Sequence, residues 1–223
     1  HTANRRQRQM CIRDRSTGGS YSLATAARFP ERVLGVLVCC GMSDMRWASE
    51  YATMAGVERY VSLSREEAYE LAVEDMGEDG SKMLSNDDAT GESSLSPADL
   101  LYLQDPENIK RFISDDATFA QGVTGYADDR LADCSAQGWS SFEVNNVSCP
   151  VNIIHGETDT IVPVAHAHHT AEIVKDSEIK IYPEHGHLSI SDEIHENLQL
   201  LIQRSFCLLY TSRAHETQSD LVF

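Results

Sequence analysis

The chain has 223 residues and a formal net charge of −17, from 18 Lys and Arg against 35 Asp and Glu. This length suits one domain, or one domain with an inserted lid, and it allows a buried core. The acidic excess argues against nucleic acid as a partner, because phosphate binding needs clustered Lys and Arg. No apolar run approaches the roughly 18 residues that a membrane span needs, so no membrane partner is expected.

The six cysteines contain no Cys-x-x-Cys pair and no Cys/His spacing typical of a zinc site. Reduced thiols in a cytoplasmic protein are therefore the simplest interpretation. Neither a metal nor a cofactor is predicted. The sequence predicts no particular oligomeric state.

Both ends of the chain are predicted to be non-native tails. Residues 1–15 carry five Arg against one Asp, which a basic arm or a targeting peptide could explain, but no apolar stretch of a signal peptide is present. Residues 10–15 can be encoded by ATG TGT ATA AGA GAC AG, and the reverse complement encodes Cys-Leu-Leu-Tyr-Thr-Ser, the sequence at 207–212. This inverted repeat resembles the transposase adapter of sequencing libraries. Residues 1–15 and 207–223 are therefore interpreted as tails around a natural segment, 16–206, that is cut at both ends.

The natural segment alternates helical and strand patterns. A turn of small residues at 16–20 opens a helix that Pro30 stops. Strands are predicted at 33–40, 151–155 and 178–182. Later helices are predicted at 163–175 and in a last segment where Ile194, Leu198, Leu201 and Ile202 form one stripe, with Ser189 or Ser191 as its cap. Strands alternating with helices indicate an α/β fold with a mostly parallel sheet flanked by helices.

Residues 45–145 differ from the rest of the natural segment. They are acidic, hold most of the aromatic residues and contain no convincing strand pattern. Helical patterns occur at 45–61, 64–76 and 97–119. This stretch is interpreted as a helical lid inserted between two parts of the core, 16–44 and 146–206.

Three polar residues follow predicted strands or open a helix, in the chain order Ser16, Asp159, His187. Open α/β sheets place their sites at the carboxyl ends of the strands, so these side chains are candidates for one site. A Ser hydroxyl is a poor nucleophile at neutral pH and needs a neighbouring base, which His187 can supply. Asp159 can hold the tautomer of that histidine and stabilise its protonated form.

The segment 16–206 resembles the C-terminal two thirds of an α/β-hydrolase-fold serine hydrolase with a helical lid, of the proline-iminopeptidase-like and esterase branch. The resemblance lies in four motifs. Residues 16–21 resemble a nucleophile elbow and residues 29–33 a helix-to-strand link, while 155–163 resemble an acid loop and 186–187 a histidine loop. It implies hydrolysis of an ester or amide of a small substrate, with Ser16 as nucleophile and the backbone N–H of Thr17 as an oxyanion donor.

One position departs from the family's pattern. The elbow has Gly two residues before the serine, and this chain has Asp14. The strands before the elbow and the second oxyanion donor are predicted to be missing. The parent protein is therefore predicted to be an enzyme, and this fragment an inactive one.

Several residues have a second interpretation. Ser16 could cap its helix or belong to a phosphate-binding loop, although the Gly-Lys-Ser/Thr ending of that loop is absent. His185 competes with His187. Asp128 and Asp129 compete with Asp159, but carboxylates of a lid more often pair with Arg130 or face water.

Other side chains could form a binding pocket. Trp47, Tyr51 and Tyr126 are candidates for contacts with an apolar substrate, and ordinary packing of the lid is the alternative. Three histidines at 166, 168 and 169 are interpreted as an exposed helix face, because no carboxylate completes a set of metal ligands. The alternative function is a non-catalytic or truncated remnant that only binds small apolar ligands.

Overall fold

The structure is a computed structural model that describes residues 9–52, 54, 56–79, 82, 95–112, 122–134 and 138–219. Its centre is a four-stranded sheet in which every neighbouring pair is parallel, in the order β1-β2-β3-β4. The strands are β1 Met10–Arg15, β2 Val33–Cys39, β3 Val151–Gly156 and β4 Ser177–Tyr182. The predicted parallel α/β sheet is confirmed, and so are the three strands predicted after residue 30.

Eight α-helices connect and cover the strands in the described part of the chain. They are α1 Thr17–Arg28, α2 Met45–Tyr51, α3 Arg65–Met76, α4 Pro97–Tyr102, α5 Pro106–Phe112, α6 Thr124–Asp133, α7 Ala165–Ile173 and α8 Ile194–Ser219. Short 3-10 helices lie at Val57–Tyr60, Gly138–Phe142, Val144–Asn146 and Ser189–Glu193. None of the described helices is both long enough and apolar enough to span a membrane.

Both faces of β2 are buried, which explains its continuous apolar sequence. Successive side chains of a strand point to opposite faces of the sheet. Val36 and Val38 pack with residues of α1 and α7, whereas Leu37 and Cys39 pack with Leu201 of α8. The sheet is therefore the middle layer of three, with helices on either side.

Strand β1 is an element that the sequence patterns do not predict. Residues 10–15, assigned above to a tail, pair in parallel with β2, with Asp14 opposite Val38 and Arg15 opposite Cys39. Two of these residues are partly buried against the core: Cys11 packs with the cluster beneath α8, and Ile12 packs with the cluster on the other face of the sheet. A short strand with charged residues carries little hydrophobic pattern, so its pairing with β2 became visible only in the folded chain.

The helical segment, residues 45–145, is more broken than its periodicity predicts. The pattern at 45–61 is split into α2 and a 3-10 helix, because Gly56 takes a left-handed φ of 81° between them. The pattern at 64–76 forms α3, which begins with a capping box between Ser64 and Glu67. No strand occurs among the described residues of this segment.

The pattern at 97–119 also divides, into α4 and α5, with Pro106 as the first residue of the second helix. Its predicted end, 113–119, lies outside the described residues. Helix α6 is not predicted by the sequence pattern. It packs against α3, and Ala127 on its buried face contributes to a core shared by both helices.

Most of the apolar stripe predicted for the last helix is confirmed. Ile194, Leu198 and Leu201 pack together beneath the sheet, but Ile202 is 36% exposed and does not belong to that buried face. The predicted cap at Ser189 or Ser191 is wrong, because the 3-10 helix Ser189–Glu193 leads directly into α8.

Replacing Leu37 by Ala tests the contact between β2 and α8. The Leu37 side chain is fully buried, so Leu37→Ala should lower the free energy of unfolding by about 2–5 kcal/mol. Leu101→Ala removes the same atoms from a side chain that is 66% exposed. This variant should change the free energy of unfolding by no more than about 0.5 kcal/mol. Urea unfolding followed by circular dichroism measures both. Equal losses in the two variants would contradict this packing.

Candidate active site

Ser16 lies in the sharp turn between β1 and α1. Its backbone has φ 55° and ψ −129°, a left-handed φ that residues other than glycine rarely adopt. The turn is held by the Ser16 N–H, which donates to the Cys39 carbonyl at 3.1 Å, and by the Ser16 carbonyl, which accepts from Gly19 at 3.1 Å and Met42 at 3.2 Å. Strain that persists because its surroundings hold it is typical of functional turns.

The hydroxyl of Ser16 does not cap α1. No side-chain hydrogen bond is present at this helix start, so the capping alternative for Ser16 is not supported. The carboxylate of Asp14 lies directly against Gly18, where an added Cβ would overlap it. Asp14 therefore occupies the space that the family's Gly leaves open beside the turn.

Asp159 and His187 come together at the carboxyl edge of the sheet, as the sequence predicts from their positions after strands. Nδ1 of His187 lies 2.8 Å from Oδ2 of Asp159, and both residues are buried. The other carboxylate oxygen, Oδ1, accepts from the backbone N–H groups of Ile161 and Val162 at 2.8 Å each. The acid is thus held by its own loop while it orients the histidine.

His155, which the sequence places only in the motif before Asp159, is a further neighbour of that carboxylate. Its Nε2 lies 2.8 Å from the Val162 carbonyl and 3.3 Å from Asp159 Oδ2. Burial alone would raise the pKa of Asp159, but the hydrogen bonds from His155 and His187 outweigh it and hold the pKa of this carboxyl well below its ordinary value. Asp159 is therefore ionised at neutral pH and suited to stabilise a protonated imidazole.

The structure separates the two candidate histidines. His185 faces Glu193, with its Nε2 at 3.5 Å from the carboxylate, and packs edge-on against the ring of Tyr182. His187 alone of the two contacts Asp159. Among the residues that the structure describes, Nε2 of His187 and Oγ of Ser16 are not hydrogen-bonded to each other.

Thr17 is linked to a buried ion pair that the sequence patterns do not reveal. Arg130 of α6 donates from Nη2 to Thr17 Oγ1 at 2.5 Å and forms an ion pair with Asp133 at 2.6 Å. The guanidinium also lies over the ring of Tyr126, 5.2 Å from its centroid. A charged residue of the helical segment therefore contacts the residue that follows Ser16.

The competing acids of this segment lie at the surface. Asp128 pairs with Arg65 at 2.7 Å and Asp129 is exposed, so the expectation that these carboxylates face water is confirmed. The alternative pairing with Arg130 does not occur, because Arg130 pairs with Asp133. The spacing of three between Arg130 and Asp133 puts both on one helical face. This spacing is the feature of the sequence that could have predicted the Arg130–Asp133 pair, but the sequence does not show that this helical face is buried.

The predicted pocket residues divide into two groups. Tyr126 lies beside Arg130, whereas Trp47 stacks on His169 with centroids 3.9 Å apart and on Tyr51 at 5.9 Å. Tyr51 is 68% exposed. Within the described part of the chain, no hydrogen bond or ring contact joins Trp47 or Tyr51 to Ser16 or His187. Contact of these rings with a substrate remains a prediction.

The expected exposed face of three histidines is wrong for His166. This side chain is fully buried, accepts from the Ser43 N–H at 2.9 Å through Nδ1, and lies 2.9 Å from the Ala52 carbonyl through Nε2. Burial lowers the pKa of His166 to about 4, which keeps the ring neutral. Both ring nitrogens are engaged with backbone, so His166 ties α7 to the end of β2 and the end of α2.

Comparison with known proteins agrees with the observed fold. A family model described as alpha/beta hydrolase fold matches residues 15–194 of the 223-residue chain. The chain belongs to the α/β-hydrolase fold family. A search of curated proteins found no match.

Three solved structures are similar in fold at low sequence identity. A thermophilic esterase from Thermogutta terrifontis is 17% identical with a TM-score of 0.57, over 87% of this chain and 64% of that one. The enol-lactonase from Burkholderia xenovorans LB400 is 17% identical with a TM-score of 0.57, over 88% and 65%. MGS-M2, an alpha/beta hydrolase enzyme from a Medee basin deep-sea metagenome library, is 17% identical with a TM-score of 0.54, over 89% and 65%. The chain spans less than two thirds of the length of these three structures.

One group of side chains has the composition of a metal site. The ligand atoms of Cys40, His155 and Asp159 lie within 4.8 Å of one another and all three residues are buried. Burial, together with the charge of Asp159, raises the pKa of the Cys40 thiol well above its ordinary value. Nε2 of His155 lies against the Val162 carbonyl, and both oxygens of Asp159 already accept hydrogen bonds. We therefore assign the group to packing around the Asp159 loop.

The buried Arg130–Asp133 pair gives this chain a measurable dependence of stability on pH. Burial raises the pKa of Asp133 from its ordinary value of 3.8 to about 7, although the Arg130 charge opposes the shift. Between these values the folded chain retains a proton that the unfolded chain has lost, so stability falls as pH rises. The slope from this group is at most about 1.4 kcal/mol per pH unit.

The Asp133→Asn variant should lose this part of the pH dependence. The difference between its free energy of unfolding and that of the unaltered chain should therefore increase steadily from about pH 4 to about pH 7, because the unaltered chain loses stability over this range. Urea unfolding at a series of pH values measures the difference. Asp192→Asn, at an exposed carboxylate, is the control and should give a flat difference. A flat difference for Asp133→Asn would contradict a raised pKa in the folded state.

Proposed function

We propose that this protein is a serine hydrolase that cleaves an ester or amide bond of a small substrate through Ser16, His187 and Asp159. The observation that carries the proposal is the buried 2.8 Å contact between His187 Nδ1 and Asp159 Oδ2. It is supported by the strained turn that presents Ser16 at the start of α1. Membership of the α/β-hydrolase fold family supports hydrolase chemistry in general.

In the proposed first step, Ser16 Oγ attacks the substrate carbonyl carbon while His187 Nε2 accepts the hydroxyl proton. Asp159, ionised and buried, holds Nδ1–H and stabilises the imidazolium that forms. The carbonyl oxygen becomes an oxyanion, which the backbone N–H of Thr17 stabilises. Thr17 is the first residue of α1, where N–H groups have no partner within the helix.

The tetrahedral intermediate then collapses and expels the leaving alcohol or amine, which takes the proton from His187 Nε2. This leaves an acyl-enzyme on Ser16. A water molecule, deprotonated by His187, attacks the acyl carbon in the second step and releases the carboxylic acid. Ser16 recovers its proton from His187, so the cycle needs no metal or cofactor.

We further propose that residues 45–145 act as a lid over this site and that Trp47, Tyr51 and Tyr126 contact an apolar part of the substrate.

Membership of the chain in the proline-iminopeptidase-like and esterase branch is proposed from the sequence motifs alone. A cytoplasmic location is proposed because buried thiols at Cys39, Cys40, Cys134 and Cys149 suit a reducing compartment.

A second candidate function is binding of small apolar ligands without catalysis. The observation that favours it is the absence of a hydrogen bond between Ser16 Oγ and His187 among the described residues. Catalytic hydrogen bonds are often long before a substrate binds, so we prefer the hydrolase. Covalent labelling separates the two candidates, because a binding protein does not need an activated serine.

A fluorophosphonate probe tests whether Ser16 is an activated nucleophile. The 223-residue chain should gain one adduct, seen by intact mass spectrometry, because the probe reacts with a serine that a neighbouring base deprotonates. This adduct would overturn the expectation from the sequence that the fragment is inactive. Ser16→Ala should abolish both the adduct and turnover of a chromogenic ester, with an unchanged thermal melt. Ser49→Ala, at an exposed serine, should be labelled like the unaltered chain.

Two outcomes would contradict the hydrolase. Turnover retained in Ser16→Ala would exclude Ser16 as the nucleophile. No adduct on an unaltered chain that melts cooperatively would favour the binding protein instead.

A further inference from the structure

A buried aspartate of the helical segment holds the loop that carries His187. Asp99 lies in α4 and its side chain is fully buried. Its Oδ2 accepts from the backbone N–H of His187 at 2.9 Å. Its Oδ1 accepts from the N–H groups of Leu188 at 2.8 Å and Ser189 at 2.9 Å, and from the Ser189 hydroxyl at 3.0 Å. One carboxylate thus binds three consecutive backbone donors.

The charge of Asp99 is compensated by these donors. Hydrogen bonds from N–H groups to a carboxylate are shorter and stronger than those between neutral groups. The same donors open the 3-10 helix Ser189–Glu193, which leads into α8, and the start of a helix favours a negative charge. Asp99 therefore satisfies N–H groups that the helix cannot satisfy itself, from a position 88 residues earlier in the chain.

The loop is shaped to admit this carboxylate. An added Cβ at Gly186 would overlap both the Asp99 carboxylate and the Ser96 hydroxyl. The Gly186 N–H donates to the Ser189 hydroxyl at 2.8 Å, and that hydroxyl in turn donates to Asp99. Each residue from 186 to 189 therefore contacts Asp99 directly or through one hydrogen bond.

His187 is consequently fixed at two points by two different acids. Asp159 of the core binds its imidazole at Nδ1, and Asp99 of the helical segment binds its backbone N–H. We propose that Asp99 is a positioning residue: it holds the His187 backbone so that the imidazole keeps its hydrogen bond to Asp159 and its place as the base. This role rests on the proposed serine-hydrolase function.

Asp99→Asn tests the positioning role with little change in shape. An Asn side chain has one acceptor oxygen, and its NH2 group faces N–H donors, so the loop loses part of its support. We expect kcat for a chromogenic ester and the rate of fluorophosphonate labelling to fall by about 10- to 100-fold, while KM changes less than about threefold. Asp105→Asn, at an exposed carboxylate three residues beyond α4, should match the unaltered chain.

A readout that does not need activity follows the His187–Asp159 hydrogen bond itself. A proton shared by an imidazole and a carboxylate gives a low-field signal in proton NMR, which His187→Gln identifies by its loss. This signal should be present in the unaltered chain and in Asp105→Asn, and weakened or absent in Asp99→Asn. If the unaltered chain is not labelled by the probe, the serine-hydrolase proposal fails, and the NMR signal alone still decides whether Asp99 positions His187.

Ser189→Ala provides a milder variant in case Asp99→Asn does not fold. It removes only the hydroxyl that joins Asp99 to Gly186, and should lower the labelling rate and the low-field signal by a smaller factor than Asp99→Asn. If instead Asp99 merely stabilises the start of α8, a folded Asp99→Asn variant should have a lower Tm with an unchanged labelling rate and signal. That result would overturn the proposal. If Asp99→Asn is unfolded, an unchanged labelling rate and an unchanged low-field signal in Ser189→Ala would overturn it as well.

Discussion

The carboxylate of Asp159 is the contact on which the geometry of the site depends. It lies in the loop after β3, accepts two backbone hydrogen bonds from that loop, and binds His187 from the loop after β4. Because β3 and β4 are parallel neighbours, both loops leave the sheet at the same edge. The hydrogen bonds from His155 and His187 keep this buried acid ionised, and an ionised acid is what a neighbouring imidazole needs in order to accept a proton.

The turn at Ser16 reaches the same edge by a different route. Strand β1 pairs with β2, so Arg15 lies opposite Cys39 and the chain turns at the next residue. The left-handed backbone of Ser16 is tolerated because neighbouring backbone groups of Cys39, Gly19 and Met42 bind its N–H and its carbonyl. The first N–H groups of the helix that follows lie beside this turn, and a helix start favours negative charge.

The helical segment supplies a charge to each side of this site. Arg130 contacts Thr17 beside the turn at Ser16, and Asp99 binds the backbone of the loop that carries His187. Both side chains are buried: Arg130 contacts Asp133, and Asp99 accepts hydrogen bonds from backbone N–H groups. The segment is therefore joined to the core loops by directional polar contacts as well as by apolar packing. Such contacts fix orientation more strictly than apolar packing does.

How far the sequence predicts this structure differs from element to element. The apolar run of β2 and the small-residue turn at 16–20 are local signals, and both led to the observed elements. The strand at 10–15 and helix α6 have no comparable signal, since β1 depends on its pairing with β2 and α6 on its packing against α3. Gly56 and Pro106 explain why two long helical patterns became four shorter elements.

The sequence by itself determined the parallel α/β fold and the positions of Asp159 and of both candidate histidines, His185 and His187, after predicted strands. These features follow from residues that are close together in the chain. The tertiary structure alone decided that His187 and not His185 faces the acid, that Arg130 pairs with Asp133, and that Asp99 binds the histidine loop. These contacts join residues whose side chains look like ordinary surface charges in the sequence. Only the packing of the helical segment against the core removes them from water and gives them partners.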